Sequence, residues 1–525
     1  MGKKYYSIIL TLVLFLFGTK AMAHDIAVAN ADGVTIYYNY INEGKELEVA
    51  SGGSRYRGSV VIPEEVTYMN RTRKVTSIGM SAFYDCTSLI SVTIPNSVVS
   101  IDNQAFYGCT GLTTINIPNS VTSIGIRSFD NCNRLKSLNI PNSVKNIGAG
   151  AFTYCSSLTS ISIPNTVTSI GDNTFQYCLG LTSITIPNSV KDIGAYAFYY
   201  CTGLTSVSIP NSVTSIGTEA FYYCEKLTSI TIPNSVTNIS QWAFRRCTGL
   251  TSLTIPNSVM NIGDGAFSGC KNLTSIVVEE RNSKYDSRYN CNAIIETPSN
   301  TLVAGCKNTI IPNNVTSIGY GVFVNCSELT SITIPNSVTT IRESAFYGCT
   351  GLTSITIPNS VISLGKQAFY KCSSLTSVNI SNNVTSIGSY AFAGCTGLTY
   401  VTIPNSVTSI DTCAFHGITN LADVYCYAEK VPTTDSNAFE YTHIENATLH
   451  VPSSAVDAYK GVDPWKNFKS IVAITDQETR ISGIQINDNK KDSYFTLDGK
   501  QIESPRKGVN IVRTSNGKTK KVVVK

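Results

Sequence analysis

The stretch CTGLTSITIPNSV, residues 349–361, returns along most of this chain with few changes. Nearly the same letters begin at Cys201, Cys247 and Cys395. A unit repeated this often predicts coils stacked along one axis, because each copy presents the same side chains to the next.

The repeat keeps a period of 23 residues, which the cysteines mark over residues 86–270 and again over 326–395. Within one unit, Val207 and Ile209 lie two apart, so in a strand they point to the same side. Ala220 and Cys224 lie four apart, which predicts a short helical turn with one buried face. Burying a side chain gains about 1–3 kcal/mol, whereas ordering each residue costs about 1–2 kcal/mol. One unit alone therefore does not fold, and stacked units should share a parallel sheet.

The consensus LxxIxIPxxVxxIGxxAFxxC resembles the leucine-rich repeats of BspA-type bacterial surface proteins over residues 60–475. The resemblance implies a right-handed repeat solenoid with a concave parallel β-sheet and short helical turns on its convex side. It also implies adhesion, because members of the family are associated with binding to host matrix proteins and to other bacteria.

Both ends of the chain depart from the period, and strand-like alternation there predicts a small β cap at the N-terminus and a β tail at the C-terminus. The tail, which ends in KKVVVK, resembles the sorting domains of the type IX secretion system. It is shorter than those domains usually are, so a working signal and a structural tail both stay open. The predicted organisation is a signal peptide (1–23), an N-terminal β cap (24–73), leucine-rich repeats (74–421) with a hairpin insertion (279–306), irregular terminal coils (422–475) and a basic tail (476–525).

The N-terminus, MGKKYYSIILTLVLFLFGTKAMAHD, joins a basic start to an apolar run and a small-residue cleavage site. It predicts a secretory signal peptide that is cut between Ala23 and His24. The apolar run is short for a membrane span, and an N-terminal anchor stays open as the alternative. We expect an exported protein, on the bacterial cell surface or secreted, with no membrane span in the mature chain.

The net charge of +5 is concentrated at the two ends of the chain. Residues 1–23 carry +3 and residues 481–525 carry +6, which leaves the body between them at −4. A nucleic-acid groove needs clustered Lys and Arg, so no nucleic-acid partner is expected.

Most of the 17 cysteines occupy one repeated position, three residues after a phenylalanine, as in Cys224 and Cys349. Ile418 takes that position in a later coil, which favours a buried apolar position filled by free thiols. Disulfides between neighbouring coils stay open, as does a bridge between Cys291 and Cys306. Zinc is disfavoured at the repeated position, because stacked cysteines do not bring four ligands to one point.

Two further positions recur in nearly every coil. The phenylalanines, such as Phe221 and Phe346, are predicted to form a buried stack rather than an aromatic ligand track. The asparagines after the proline, such as Asn211 and Asn359, are predicted to cap turn backbone groups rather than to form a recognition row.

The outward strand positions hold small hydroxyl side chains and form the candidate ligand face. A protein, a sugar or an ice surface would each fit such an array, and a solvated strand surface explains it equally well. Tyrosines that follow the phenylalanine are expected on the convex side, mostly as packing between turns. The candidate face comprises Ser206, Ser208, Ser229, Thr231, Ser354 and Thr356.

The sequence carries no constellation of residues typical of an enzyme. Only four histidines occur, none at metal-binding spacing with another, and neither G-x-S-x-G nor a P-loop stands out. We therefore expect no enzyme, cofactor or metal site. The predicted function is protein–protein interaction, specifically adhesion to host matrix or to other cells. The alternatives are a carbohydrate-binding surface protein, which should show exposed aromatic side chains in one local patch, and a structural spacer without a ligand.

Overall fold

The computed structural model describes residues 24–475 and four strands of the tail beyond them. The predicted signal peptide, including Ala23, lies outside the described residues, as does the rest of the tail. The chain divides into two compact units, one ending at Val472 and one beginning at Ala473.

The first unit is a β-solenoid, which confirms the predicted repeat fold. Its coils build two parallel strand columns, in which most strands pair with the strand one period away, as Ser183 does with Ser206 and Ile193 with Ile216, and each column is divided into several sheets. The first strand column follows the LxxIxI segment, as predicted. The second, at the Ser-Ile pair before the glycine, was not predicted from the sequence.

The first strand column comprises Gly58–Val61, Leu89–Thr93, Thr114–Asn116, Ser137–Asn139, Ser160–Ser162, Ser183–Thr185, Ser206–Ser208, Ser252–Ile255, Ser275–Val278, Ser354–Thr356, Ser377–Asn379, Tyr400–Ile403, Asp423–Cys426, Thr448–Val451 and Ser470–Ala473. The second comprises Arg71–Ile78, Ser100–Ile101, Ser123–Ile124, Asn146–Ile147, Ser169–Ile170, Asp192–Ile193, Ser215–Ile216, Asn238–Ile239, Asn261–Ile262, Thr301–Gly305, Ser317–Ile318, Thr340–Ile341, Ser363–Leu364, Ser386–Ile387, Ser409–Ile410 and Thr433–Thr434.

Antiparallel strands begin the solenoid and form its insertion. At the N-terminus they are Ile26–Ala29, Thr35–Ile41, Glu46–Ala50 and Glu65–Tyr68, the last paired with Arg71–Ile78. The insertion contains three antiparallel strands, Tyr285–Asp286, Ala293–Glu296 and Thr301–Gly305. The last of these also pairs in parallel with Ser317–Ile318. The insertion thus returns the chain to the second strand column.

Helix is scarce in the described part of the chain. One α-helix, Val456–Lys460, lies near the C-terminal end of the solenoid. The 3-10 helices are Asn42–Gly44, Arg288–Asn290, Ile444–Asn446, Ser453–Ala455 and Trp465–Asn467.

The convex turns are present at the predicted place but are not helical. We call the residues from the repeated glycine to the repeated cysteine, such as 217–224, the turn segment. There the N–H groups of Ala220, Tyr222 and Cys224 donate to carbonyls three residues earlier in the same coil. The N–H of Phe221 donates instead to the Ala243 carbonyl of the next coil at 2.7 Å, and its neighbours at alternate positions do the same. An α-helix would use every N–H within its own coil, so this alternation excludes it.

The backbone of each turn segment enters the left-handed region twice. In the coil of Phe221, Glu219 has φ 53° and Tyr223 has φ 62°. The same two positions, two before and two after the phenylalanine, carry positive φ in most coils. The coils also approach closely at the repeated glycine, where a Cβ on Gly217 would lie 2.5 Å from a backbone carbon of Gly194.

The core repeats from coil to coil around a column of phenylalanines. Phe221 is fully buried and stacks on Phe198 at 5.1 Å and on Phe244 at 5.2 Å between ring centroids. Phe346 stacks in the same way after the insertion. Aromatic side chains from outside the repeat close both ends of the column, Tyr56 against Phe83 and Trp465 against Phe439.

The cysteines are free and buried, and their thiols do more than fill space. Cys224 Sγ donates to the carbonyl oxygen of Phe198 in the previous coil at 3.3 Å, and Cys349 Sγ to that of Phe323 at 3.1 Å. Burial raises the pKa of both thiols, so they stay protonated donors. Thr442, in the same position of a late coil, donates its hydroxyl to the Phe415 carbonyl at 2.5 Å. The position therefore accommodates a small side chain with a donor.

The second unit contains antiparallel strands, in keeping with the predicted β tail. Tyr494 pairs with Val512 and Ile502, and Asn510 pairs with Val522. Its strands are Ser493–Phe495, Gln501–Ile502, Gly508–Arg513 and Thr519–Val524.

The donor role of the cysteine can be tested with two side chains of the same shape. We expect Cys224→Thr to retain about 1 kcal/mol more of the free energy of unfolding than Cys224→Val, because only threonine can donate to the Phe198 carbonyl. Urea denaturation of both variants measures the difference. A valine variant as stable as the threonine variant would mean that the position needs only apolar volume.

The cost of the left-handed backbone can be tested at Gly417, whose φ is 66° and where an added Cβ meets nothing within 4 Å. Gly417→Ala should lower the free energy of unfolding by about 1–2 kcal/mol through backbone strain alone. The same substitution at Gly461, which has negative φ and room for a Cβ, is the control and should be close to neutral. Equal effects at the two glycines would contradict this explanation.

Candidate functional site

The candidate ligand face lies on the first strand column. Ser206 and Ser208 are exposed on either side of buried Val207, and the other four residues of that face are exposed as well. In the three coils before that of Ser206 and Ser208, the equivalent side chains line a shallow depression of about 380 Å³, in which Ser160 and Ser162 lie at the centre. The face is therefore accessible but offers only small, similar hydroxyl groups.

The turn after the proline is bonded to the previous coil by a residue that the sequence did not single out. Asn211 and Asn359 are exposed. The hydroxyl of Ser212, beside Asn211, donates to the Val190 carbonyl at 2.6 Å, and Ser235 bonds to Val213 in the same way. Each of these bonds joins residues that are 22 apart in the sequence, so they can be predicted only when the register of stacking between coils is known.

The turn segments carry a group of aromatic side chains that we call the tyrosine cluster. It occupies four consecutive coils and includes two Tyr-Tyr pairs that are visible in the sequence at 199–200 and 222–223. Its members are half-buried or exposed, and Tyr154 keeps 47% of its surface accessible. The cluster comprises Tyr154, Tyr177, Tyr199, Tyr200, Tyr222 and Tyr223.

The rings of the tyrosine cluster stack along the solenoid. Tyr154, Tyr177, Tyr200 and Tyr223 form one column with centroid separations of 4.6, 5.1 and 4.4 Å. A second column holds Tyr199 and Tyr222 at 5.0 Å. Because the ring faces within a column cover one another, the cluster presents mainly ring edges and hydroxyl groups to solvent.

Arginines close one end of both columns. The Arg246 guanidinium lies 4.8 Å from the Tyr223 ring centroid and donates to its hydroxyl, and Arg245 lies 5.8 Å from the Tyr222 ring. Burial raises the pKa of Tyr199 and Tyr222, so their hydroxyl groups stay protonated at neutral pH. The cluster therefore combines neutral hydroxyl donors with two cations.

Tyrosine is an unexpected choice in the longer of these columns. Tyr154, Tyr177, Tyr200 and Tyr223 all have φ between 57° and 62°, at the position two after the phenylalanine. Eight other coils hold glycine, asparagine or aspartate there, which adopt this conformation at lower cost, whereas Arg246, Lys371 and Tyr441 occupy it in three more coils. The same position holds Asp85, Gly108, Asn131, Gly269, Asn325, Gly348, Gly394 and Gly417.

The insertion forms a second, smaller feature beside the coils. A polar cleft of about 160 Å³ separates the hairpin from the neighbouring coils and is lined by Asp264, Tyr285, Glu296 and Arg342. Lys284 pairs with Glu296 at 3.0 Å. Cys291 and Cys306 are free, although the sequence left a bridge between them open.

One group of side chains could hold a metal ion, although the sequence gave no such indication. Cys413, His416 and Glu440 offer ligand atoms that all lie within 4.8 Å of one another. Glu440 belongs to the next coil, so only the stacking register brings it to the other two. The sequence indicates this group only through Cys413, which lies outside the repeated cysteine position, and His416, three residues later.

Comparisons with known proteins give the family but no close relative. A search among curated proteins found no match. Similar solved structures include a leucine-rich repeat protein from Bacteroides ovatus, with 25% identity, 84% of this chain and 98% of that chain covered, and a TM-score of 0.44. A leucine rich cell surface protein from Faecalibacterium prausnitzii has 24% identity, coverages of 87% and 97%, and a TM-score of 0.42. The pneumococcal vaccine antigen PcpA has 18% identity, coverages of 86% and 99%, and a TM-score of 0.47.

The family model for the BspA type leucine rich repeat region, in six copies, matches the chain at residues 76–205, 168–296, 302–422 and 339–460. Together these matches cover more than half of the chain, and their limits enclose most of the described coils. The chain therefore belongs to the BspA-type leucine-rich repeat family.

Proposed function

We propose that this is an exported, non-catalytic surface protein that binds other proteins through the tyrosine cluster, and that the binding serves adhesion to host matrix or to other cells. The observation that carries the proposal is the longer tyrosine column. In four consecutive coils, tyrosine occupies a left-handed backbone position, which costs about 1–2 kcal/mol for each tyrosine. Strain of this kind supports a functional role when packing alone does not require the residue.

The chemistry of the cluster favours a protein partner. Tyrosine and arginine are enriched at protein interfaces, where they combine a large contact area with hydrogen-bonding groups. Stacking also holds the rings in place before a partner arrives, which lowers the entropic cost of binding. The hydroxyl groups and the guanidinium groups of Arg245 and Arg246 then supply directional contacts.

Carbohydrate binding is the second candidate, because a glycan binder is expected to group exposed aromatic side chains in one local patch. Sugar rings bind best to uncovered aromatic faces. Here Tyr177 and Tyr200 are covered by their neighbours, and Arg246 covers the end at Tyr223. Covered ring faces leave little surface for a sugar ring to stack on, so a protein partner is favoured.

The strand face remains an alternative binding surface. Ser206, Ser208, Ser229, Thr231, Ser354 and Thr356 are exposed, but each coil offers nearly the same small groups. Binding there would be weak per coil and would depend on many simultaneous contacts.

Export is proposed from the sequence of the N-terminus and from the family. Within the described residues, no helix has both the length and the apolar character that crossing a membrane requires. Attachment at the cell surface would then depend on the basic tail, which we propose as a sorting domain of the type IX secretion system, or on another protein.

A solid-phase assay tests the function and the surface together. The mature chain, His24 to Lys525, should be retained on immobilised extracellular-matrix proteins or on whole bacterial cells. The double variant Tyr177→Gly/Tyr200→Gly should lose at least about tenfold in affinity, because two interface tyrosines contribute about 1–2 kcal/mol each. Its thermal unfolding midpoint should stay close to that of the unaltered chain, since glycine suits the left-handed backbone.

Two controls make the result specific. Lys371→Gly changes the same backbone position, with φ 58°, outside the cluster and should leave retention unchanged. Ser206→Ala/Ser208→Ala tests the strand face, and a loss confined to this variant would move the site there. Retention on a glycan array alone would favour the second candidate, and retention on no surface would contradict binding altogether.

A further inference from the structure

A cluster of three potential metal ligands lies near the C-terminal end of the solenoid, away from the tyrosine cluster. Cys413 and His416 flank Phe415 on one turn segment, and Glu440 follows Phe439 on the next. Cys413 occupies the left-handed position two before the phenylalanine, with φ 56°. His416 and Glu440 occupy the same position in successive coils, so their side chains are brought together by the stacking of the coils.

Two of the three separations between the ligand atoms suit a single small cation, and the third, between Cys413 Sγ and His416 Nδ1, lies within 4.8 Å. Cys413 Sγ lies 3.7 Å from Glu440 Oε2, and His416 Nδ1 lies 3.6 Å from the same oxygen. In tetrahedral zinc coordination, bonds of about 2.3 Å to sulfur and about 2.0–2.1 Å to nitrogen or oxygen place the ligand atoms about 3.3–3.6 Å apart. An ion can therefore bind after shifts of a few tenths of an ångström at these two edges.

A second observation points independently to a ligand. The His416 Nδ1 atom is shut off from solvent and has no hydrogen-bond partner, because its 3.6 Å separation from Glu440 is too long for a hydrogen bond. Cys413 is also almost fully buried, with 4% of its surface exposed. A buried nitrogen without a partner is costly, and coordination of a cation would satisfy it.

We propose that Cys413, His416 and Glu440 form a zinc site whose fourth position is open to water. Sulfur, nitrogen and carboxylate oxygen in one set suit zinc, whereas calcium and magnesium prefer oxygen ligands alone. On binding, the Cys413 thiol loses its proton to solvent and coordinates as the thiolate. Glu440 has 43% and His416 31% of its side chain exposed, which leaves a path for the ion and for the water.

The bound ion would join two coils where the cysteine column is interrupted. Ile418 occupies the cysteine position of this coil, so the bond to the previous coil is missing, whereas the bond to the next coil is made by the Thr442 hydroxyl, which donates to the Phe415 carbonyl. Thr412 Oγ1 already donates to Asp435 Oδ2 of the next coil at 2.8 Å, beside the proposed site. A metal bridge between the same two turn segments would stabilise the C-terminal end of the solenoid.

Zinc titration of the full-length chain after treatment with a chelator tests the site. We expect one zinc ion per chain and a rise in the thermal unfolding midpoint with zinc concentration. Cobalt in place of zinc should give a thiolate-to-metal charge-transfer band. The variants Cys413→Ser, His416→Tyr and Glu440→Gln should each weaken zinc binding at least about tenfold, and Cys413→Ser should remove the band.

The chain itself supplies the conservative replacements. Ser344 occupies the equivalent left-handed position with φ 57°, and Tyr347 and Tyr370 occupy the position of His416, so these variants should fold. His443→Gln is the matched control, because His443 and Glu445 form an exposed pair at 3.0 Å that lacks a cysteine. The proposal is overturned if the unaltered chain binds no zinc, or if the site variants bind it as tightly as His443→Gln does.

Discussion

The hydrogen bonds between neighbouring turn segments constrain the rest of this structure. In most turn segments, alternate N–H groups donate to the next coil, as Phe221 and Tyr223 do to Ala243 and Arg245. The pattern places a left-handed residue on each side of the phenylalanine in most coils and brings the coils close together at Gly217, a position that Asp102, Ser240 and Arg342 hold in other coils. The phenylalanine column, the thiol donors and the tyrosine columns all depend on this register.

The sequence predicts the parts of the structure that depend on periodicity. Buried Val207 and exposed Ser206 follow from alternation, and the buried Phe221 and Cys224 follow from their recurrence at one interval. The turn was predicted to be helical, because the spacing of Ala220 and Cys224 suits a helix. Spacing records which side chains face inward, but it does not reveal which carbonyl each N–H meets in the neighbouring coil.

Interactions between coils were the part that the sequence could not provide. The bond from Cys224 to the Phe198 carbonyl joins residues 26 apart, and the approach of Glu440 to Cys413 joins residues 27 apart. Neither is visible until the register of stacking is known. The Tyr-Tyr pairs are visible in the sequence, but their stacking and their strained backbone depend on the φ values of the turn segment. Differences between coils therefore indicate candidate functional residues best on the turn segments, because a side chain can change there while the backbone pattern is kept.

The turn segments are as much a part of the hydrogen-bonded framework as the strands. Hydrogen–deuterium exchange of the full-length chain, followed by mass spectrometry of its peptides, tests this most directly. Peptides covering residues 217–224 should be protected about as strongly as those covering the strand Ser206–Ser208, because alternate amides bond to the next coil and the others bond within their own. Rapid exchange of the turn segments beside protected strands would contradict the account.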